Sequence, residues 1–288
     1  MFYQFLPLIS TTAQPLKRSL GMPIFVVAKN SNLLSHPAIL HAIGQPLTIL
    51  PSVDSTNNYA MAKATEGLAG HGSAYFALEQ TAGKGQRGRQ WLTNPGENIM
   101  LSTILQPAEL PFHQQFPLSA AMALACYDFF KNYAGDETRI KWPNDIYWRD
   151  RKAAGILIEN RLDTARGAWQ WAIVGMGVNI NQVKFGDGHK NPGSLKQITG
   201  KTWDMLELTR ELCASQERWW QKLRSDGAGA VLEAYQEALY KVGETVKLKK
   251  DNVVFETKVC GVTAAGQLLT KDVMERQFEV GEVEWVLT

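Results

Sequence analysis

No stretch of this sequence approaches the length and unbroken apolarity of a membrane-spanning helix, which argues against a membrane partner. Neither sign of charge dominates: the formal net charge is +2 over 288 residues, so no general affinity for polyanions is implied and any cationic function must be local. Cysteine is scarce. The three thiols, Cys126, Cys213 and Cys260, are odd in number and far apart, which argues against a disulfide framework and for a reducing, cytoplasmic compartment. The five histidines, His36, His41, His71, His113 and His189, show no zinc spacing, so no protein-held metal is expected. Met1–Leu8 is apolar but lacks a preceding basic region, so no secretory signal is expected, and Met22 is an alternative start. No helix-turn-helix or winged-helix pattern is found, and no Ser/His/Asp or Cys/His nucleophile arrangement.

What the chain does have is concentrated. Gln80-Thr81-Ala82-Gly83-Lys84-Gly85-Gln86-Arg87-Gly88-Arg89-Gln90-Trp91 packs three glycines and three cations into a short run closed by tryptophan. Glycine lets backbone N–H groups approach a ligand closely, and successive N–H groups with cations beside them form a cradle for phosphate or carboxylate oxygens. Gly83-x-Gly85-x-x-Gly88 also matches the dinucleotide-binding fingerprint, but that fingerprint needs a helix to open at the loop. Here a turn, Trp91–Gly96, and then a β-like run, Ile99–Leu105, follow instead. A P-loop fails too, because no Gly-Lys-Ser/Thr stands at the required spacing. A solvated basic hairpin explains the glycines but not the cation density or Trp91.

Around this loop the pattern predicts strands at Pro23–Ala28, Leu47–Leu50, Ser73–Leu78, Ile99–Leu105, Ile146–Trp148, Lys152–Glu159 and Trp169–Val174. Asp54-Ser55-Thr56-Asn57 precedes a helical pattern, with Ser or Thr as N-cap; the same hydroxyls and amide could face a small polar ring. Leu118, Met122, Ala125, Phe129 and Tyr133 mark a core-facing helix over Pro117–Tyr133. In Lys141-Trp142-Pro143-Asn144-Asp145 the proline ends a strand at a bend. A polar turn, Arg149–Arg151, then makes a hairpin that could bring Lys152 back toward Asp145, with Gly155 leaving room for a ligand. Glycines alternate in Gly175-Met176-Gly177-Val178-Asn179, which implies close backbone approach. Val183–Gly200 reads as a polar loop, Thr202 as the cap of a helix through Arg224, and Ala230–Tyr240 as a second helix. From Val242 the period changes to two, giving five short strands of a small β-barrel.

Four of these segments resemble the signatures of the biotin protein ligase family, in the family order and at family-like spacing. They are Gly83–Trp91, Lys141–Asp145, Lys152–Leu157 and Gly175–Asn179. The resemblance covers about residues 46–288, taking in Asp54–Asn57, Gln80 and the C-terminal strands. It implies an α/β (α+β) fold: a class II synthetase-like mixed sheet flanked by helices, plus an SH3-like barrel. The expected organisation is an extension of unknown role over residues 1–45, a catalytic domain over 46–240, and the small domain over 241–288.

The resemblance also implies a reaction. Biotin and MgATP give biotinyl-5′-adenylate, and a lysine of a biotin carboxyl carrier domain then attacks it. ATP and Mg2+ enter as reaction components, and the carrier protein is the partner. By the same resemblance Ser55, Thr56, Asn57 and Gln80 would hold the ureido ring, and Gly83, Lys84, Gly85, Gln86 and Gly155 would complete the biotin site. Arg87, Arg89, Trp91, Asn144, Lys152 and Asn179 would line the nucleotide side, and Lys84, Arg87, Lys152 and Asp145 would carry the chemistry. Many family members have arginine where this chain has Gln86, which implies weaker retention of the adenylate. Without a winged helix the chain resembles the monofunctional kind, with no operator DNA as partner; homodimerisation is left open. The competing readings are a lipoate ligase, which shares fold and adenylate chemistry, a nucleic-acid-binding regulator, and a non-catalytic interaction protein.

Overall fold

The computed structural model describes residues 41–163, 168–186 and 191–286. The strand expected at Pro23–Ala28 and most of the N-terminal extension lie outside the described residues.

Seven strands form the larger sheet: β1 (Leu47–Leu50), β2 (Ala74–Ala77), β3 (Asn98–Leu105), β4 (Thr138–Lys141), β5 (Asp145–Trp148), β6 (Arg151–Asp163) and β7 (Ala168–Asn179). Their order is β1-β2-β3-β7-β6-β5-β4, with β1 and β2 parallel and the other neighbours antiparallel. A parallel pair needs a crossover, which helix α1 (Thr56–Thr65) supplies between β1 and β2. The bend at Pro143 joins β4 to β5 as a hairpin, and Arg149, at φ 51, turns β5 into β6.

Period-two alternation divides the β6–β7 pair into two chemically different faces. Ala154, Ile156, Val174, Met176 and Val178 are buried in the main core beneath helices α2 (Gln115–Ala134) and α4 (Met205–Glu237). Gly155, Leu157 and Glu159 on β6, with Gly175 and Gly177 on β7, therefore fall on the other face, beside α1. That glycine-lined face is where the site forms.

The helices differ from expectation in two places, the cap of α4 and a short helix in the polar loop. Asp204, not Thr202, caps α4: its Oδ1 accepts from the N–H groups of Leu206 and Glu207 at 2.8 and 2.9 Å. The two expected helices are found as the two halves of α4, which meet at Gly227, whose φ of 80° no helical residue adopts. Within the polar loop Val183–Gly200, Ser194 and Gln197 form a capping box that starts the short helix α3 (Leu195–Thr199).

The second sheet contains β8 (Thr245–Lys250), β9 (Val253–Val262), β10 (Leu268–Lys271), β11 (Glu275–Phe278) and β12 (Glu284–Trp285), all antiparallel, in the order β11-β10-β9-β8-β12. Its inward residues Val246, Leu248, Val259 and Leu268 join the same apolar cluster as α2 and α4. The indole Nε1 of Trp142 donates to the Gly266 carbonyl at 2.8 Å, tying the β4–β5 bend to the turn before β10. Among the described residues no helix is long and apolar enough to cross a membrane.

Candidate active site

The entry to α1 and the strand ends beside it form a polar cluster. Ser55, Thr56 and Asn57 are all buried. Ser55 occupies the N-cap position, but its hydroxyl makes no cap bond; the Thr56 N–H is satisfied instead by Gln80 Oε1 at 2.8 Å. Thr56 Oγ1 donates to the same oxygen at 3.0 Å. Ser102, from the middle of β3, lies 2.7 Å from Thr56 Oγ1 and 2.6 Å from Asn57 Oδ1. A hydroxyl has one proton to give, so Ser102 serves these two acceptors alternately. Gln80 Nε2 carries no hydrogen bond among the described residues, and its amide orientation is fixed by the two bonds to Oε1. Backbone bonds from Thr81 to Val53 and from Ala82 to Asp54, both 2.9 Å, lock the start of the glycine loop to the start of α1.

The loop itself closes as a small hairpin. Gly85 N–H donates to Arg89 O at 2.7 Å and Trp91 N–H to Gly83 O at 2.9 Å, with a single turn over Gln86–Gly88 at the tip. Arg87 adopts φ 57, in the left-handed region, and its guanidinium donates to the Gly281 carbonyl of the second sheet at 2.7 Å. A cavity of about 460 Å³ opens under the loop, bounded by Lys84, Arg87 and Arg89 on one side and by Leu157 and Glu159 of β6 on the other.

The glycines of β6 and β7 are the floor. A Cβ on Gly177 would lie 2.2 Å from the Trp91 ring, and one on Gly175 would lie 2.3 Å from Asn57 Oδ1. Real Cβ atoms do not approach that closely, so Trp91 and Asn57 rest where only glycine backbone can lie beneath them. The close approach expected from the sequence is made by these two side chains. A Cβ on Gly155 would meet Trp91, Asp145 and Lys152 within 3.1 to 3.4 Å, so these groups meet at one point of the floor.

Lys152 pairs with Asp145 at 2.7 Å, both partly buried, and its ammonium stands 5.6 Å from the centroid of Trp91. The β5–β6 hairpin thus delivers Lys152 to the tryptophan that closes the cationic loop. Beside the pair, Tyr147 stays a neutral phenol, because burial and then the Asp145 charge push its pKa upward. Asn144 and Asn179 spend their amide nitrogens on backbone: Asn144 on Ile156 O, and Asn179 on Lys152 O and Gly193 O at 3.2 and 3.1 Å. These bonds brace the start of the β5–β6 hairpin.

Known proteins share this architecture. Residues 49–179 match the model of the Biotin/lipoate A/B protein ligase family. The biotin–[acetyl-CoA-carboxylase] ligase of Paracoccus denitrificans is 32% identical over 239 residues, spanning 80% of this chain and 95% of that one. The chain belongs to the biotin protein ligase family. It is accordingly a ligase. The bifunctional ligase/repressor BirA of Escherichia coli is 28% identical over 255 residues, 85% of this chain and 77% of that one. Among solved structures, the biotin protein ligase of Aquifex aeolicus in complex with biotin and ATP superposes with a TM-score of 0.70 at 26% identity, over 84% of this chain and 99% of that one.

The structure draws Ser55, Thr56, Asn57 and Gln80 into one cluster, brings Trp91, Asp145 and Lys152 together over Gly155, and sets Lys84 and Arg89 along the neighbouring cavity with Leu157 and Glu159. Arg87 borders the cavity while bonded outward to Gly281. Two residues of this cluster and cavity were not singled out from sequence, Ser102 and Glu159. Ser102 sits in an apolar strand, and Glu159 ends a strand motif where a solvated charge is ordinary. Glu159 stands four residues beyond Gly155 on the same face of β6, the one pattern that could have pointed to it, whereas Ser102 meets Gly175 only through the β3–β7 pairing.

Proposed function

We propose that this enzyme joins biotin to a lysine of a biotin carboxyl carrier domain at the expense of ATP, through biotinyl-5′-adenylate. In the first step a biotin carboxylate oxygen attacks the α-phosphorus of MgATP and the bond to the bridging oxygen breaks, releasing pyrophosphate. In the second, the acceptor amine attacks the acyl carbon, AMP leaves, and the amide forms as the amine loses its proton. Both nucleophiles come from substrates, so the protein has to bind, orient and neutralise charge.

The observation that carries this reading is the meeting of the cationic loop and the hairpin lysine through Trp91 above the Gly155–Gly177 floor. Two anions must approach there, and preorganised donors placed where charge develops are worth roughly 3 kcal/mol each in transition-state stabilisation. In this reading Lys84, Arg87 and Arg89 receive the carboxylate and phosphate oxygens, and Lys152 the acyl-phosphate oxygens. Asp145 aims Lys152 in the free enzyme. Gln80 Nε2, with the Ser55 hydroxyl, offers hydrogen bonds to the ureido group of biotin. Mg2+ enters with the nucleotide.

Biotin-dependent exchange of labelled pyrophosphate into ATP, with lipoate as control, tests the assignment. Exchange with biotin and none with lipoate is expected. Exchange with lipoate alone, or with neither acid, overturns it.

A further inference from the structure

Glu159 has no place in the assignments above, yet its carboxylate touches both halves of the site. Oε2 accepts from Asn57 Nδ2 at 2.8 Å, and Oε1 faces the Lys84 ammonium at 3.4 Å. The other contact of Asn57 Nδ2 is the Leu157 carbonyl at 3.4 Å, and Asn57 Oδ1 receives Ser102. Glu159, the nearer of the two acceptors, therefore makes the principal bond that holds the NH2 end of the buried Asn57 amide in place. On its other oxygen it holds the loop lysine at the wall of the cavity.

We propose that Glu159 is a positioning residue for the ligation. It fixes the Asn57 carboxamide permanently, and it pairs with Lys84 only until a substrate carboxylate takes its place. The second half rests on the functional reading given above, in which Lys84 meets the carboxylate of the acid. Side-chain exposures of 42% for Lys84 and 34% for Glu159 leave the pair open to solvent, so it is weak enough to exchange. The Asn57 contact lies deeper, on a residue only 3% exposed, and persists. The carboxylate thus restrains the loop in the empty enzyme and yields it to an anion, while the polar pocket stays set.

Calorimetric binding of biotin and of biotin methyl ester to wild type, Glu159→Gln and Glu159→Ala separates the two roles. Glutamine keeps an acceptor for Asn57 and removes the charge that competes for Lys84. Biotin is then expected to bind roughly two- to fivefold tighter to Glu159→Gln, while the ester is unchanged. Glu159→Ala also frees Asn57, and is expected to weaken the ester roughly tenfold relative to Glu159→Gln. Equal shifts for acid and ester in Glu159→Gln, or no shift for the acid, overturn the exchange with Lys84. An unchanged ester affinity in Glu159→Ala overturns the anchoring of Asn57. If wild type binds neither compound, the substrate assignment itself has failed, and the proposal falls with it.

Discussion

Gln86 shows how much a single neutral residue can decide. It stands at the tip of the loop between Lys84 and Arg87, on the turn that leads into the left-handed Arg87. An amide offers neutral hydrogen bonds where an arginine would offer charge-assisted ones about twice as strong. In the proposed reaction this matters to the adenylate, which has to stay bound until the acceptor lysine arrives. Gln86→Arg is therefore expected to slow release of the adenylate roughly fivefold, measured by stopped chase of labelled intermediate. Equal release rates would show that the residue plays no part in retention. At this scale the sequence singled out Lys84 and Trp91, because glycine, cation and tryptophan together are unusual, and Lys152 through the hairpin turn that returns it toward Asp145. It was silent about Glu159, whose partner Asn57 lies 102 residues away in the chain. A contact of that separation leaves no local pattern.

The strands and helices were readable where periodicity is strong, as in β3, α2 and the β5–β6 hairpin. Ends were less so: the Asp204 cap and the capping box of α3 lie in polar stretches with several candidate caps. The alternating glycines of β7 were recognisable as a sign of close approach, but not what approaches. Packing answers that: Asn57 lies over Gly175 and Trp91 over Gly177. The strand is thus a template that fixes two side chains from two other elements. Gly177→Ala adds a methyl group where the indole now sits, while its backbone pairing with Met100 and Gly155 is untouched. The variant is expected to remain folded by circular dichroism and to lose at least about tenfold in kcat/KM for biotin-dependent exchange, as a displaced catalytic wall does. Unchanged exchange kinetics would mean that Trp91 packing is irrelevant to the site.

Among the described residues the two sheets share one apolar core, and turns of the second sheet hydrogen-bond to the glycine loop and to the β4–β5 bend. Gly266 O holds Trp142 at the β4–β5 bend, and Gly281 O holds Arg87 in the loop. A Cβ on Gly281 would overlap the Arg87 guanidinium, so that turn is shaped to receive it. The C-terminal turns therefore help set the position of the cationic loop and of the bend that leads into Asp145, which their distance in sequence conceals. What unites these scales is the claim that the glycine-loop cations and Lys152 close on one acyl-phosphate group. A crystal structure with a non-hydrolysable biotinyl-adenylate analogue tests it most directly. The account predicts Lys84 and Lys152 each within about 3 Å of the analogue's phosphate or acyl oxygens, with Trp91 against the ligand above the glycine floor. An analogue bound with Lys152 still paired to Asp145 and out of reach of those oxygens would contradict it.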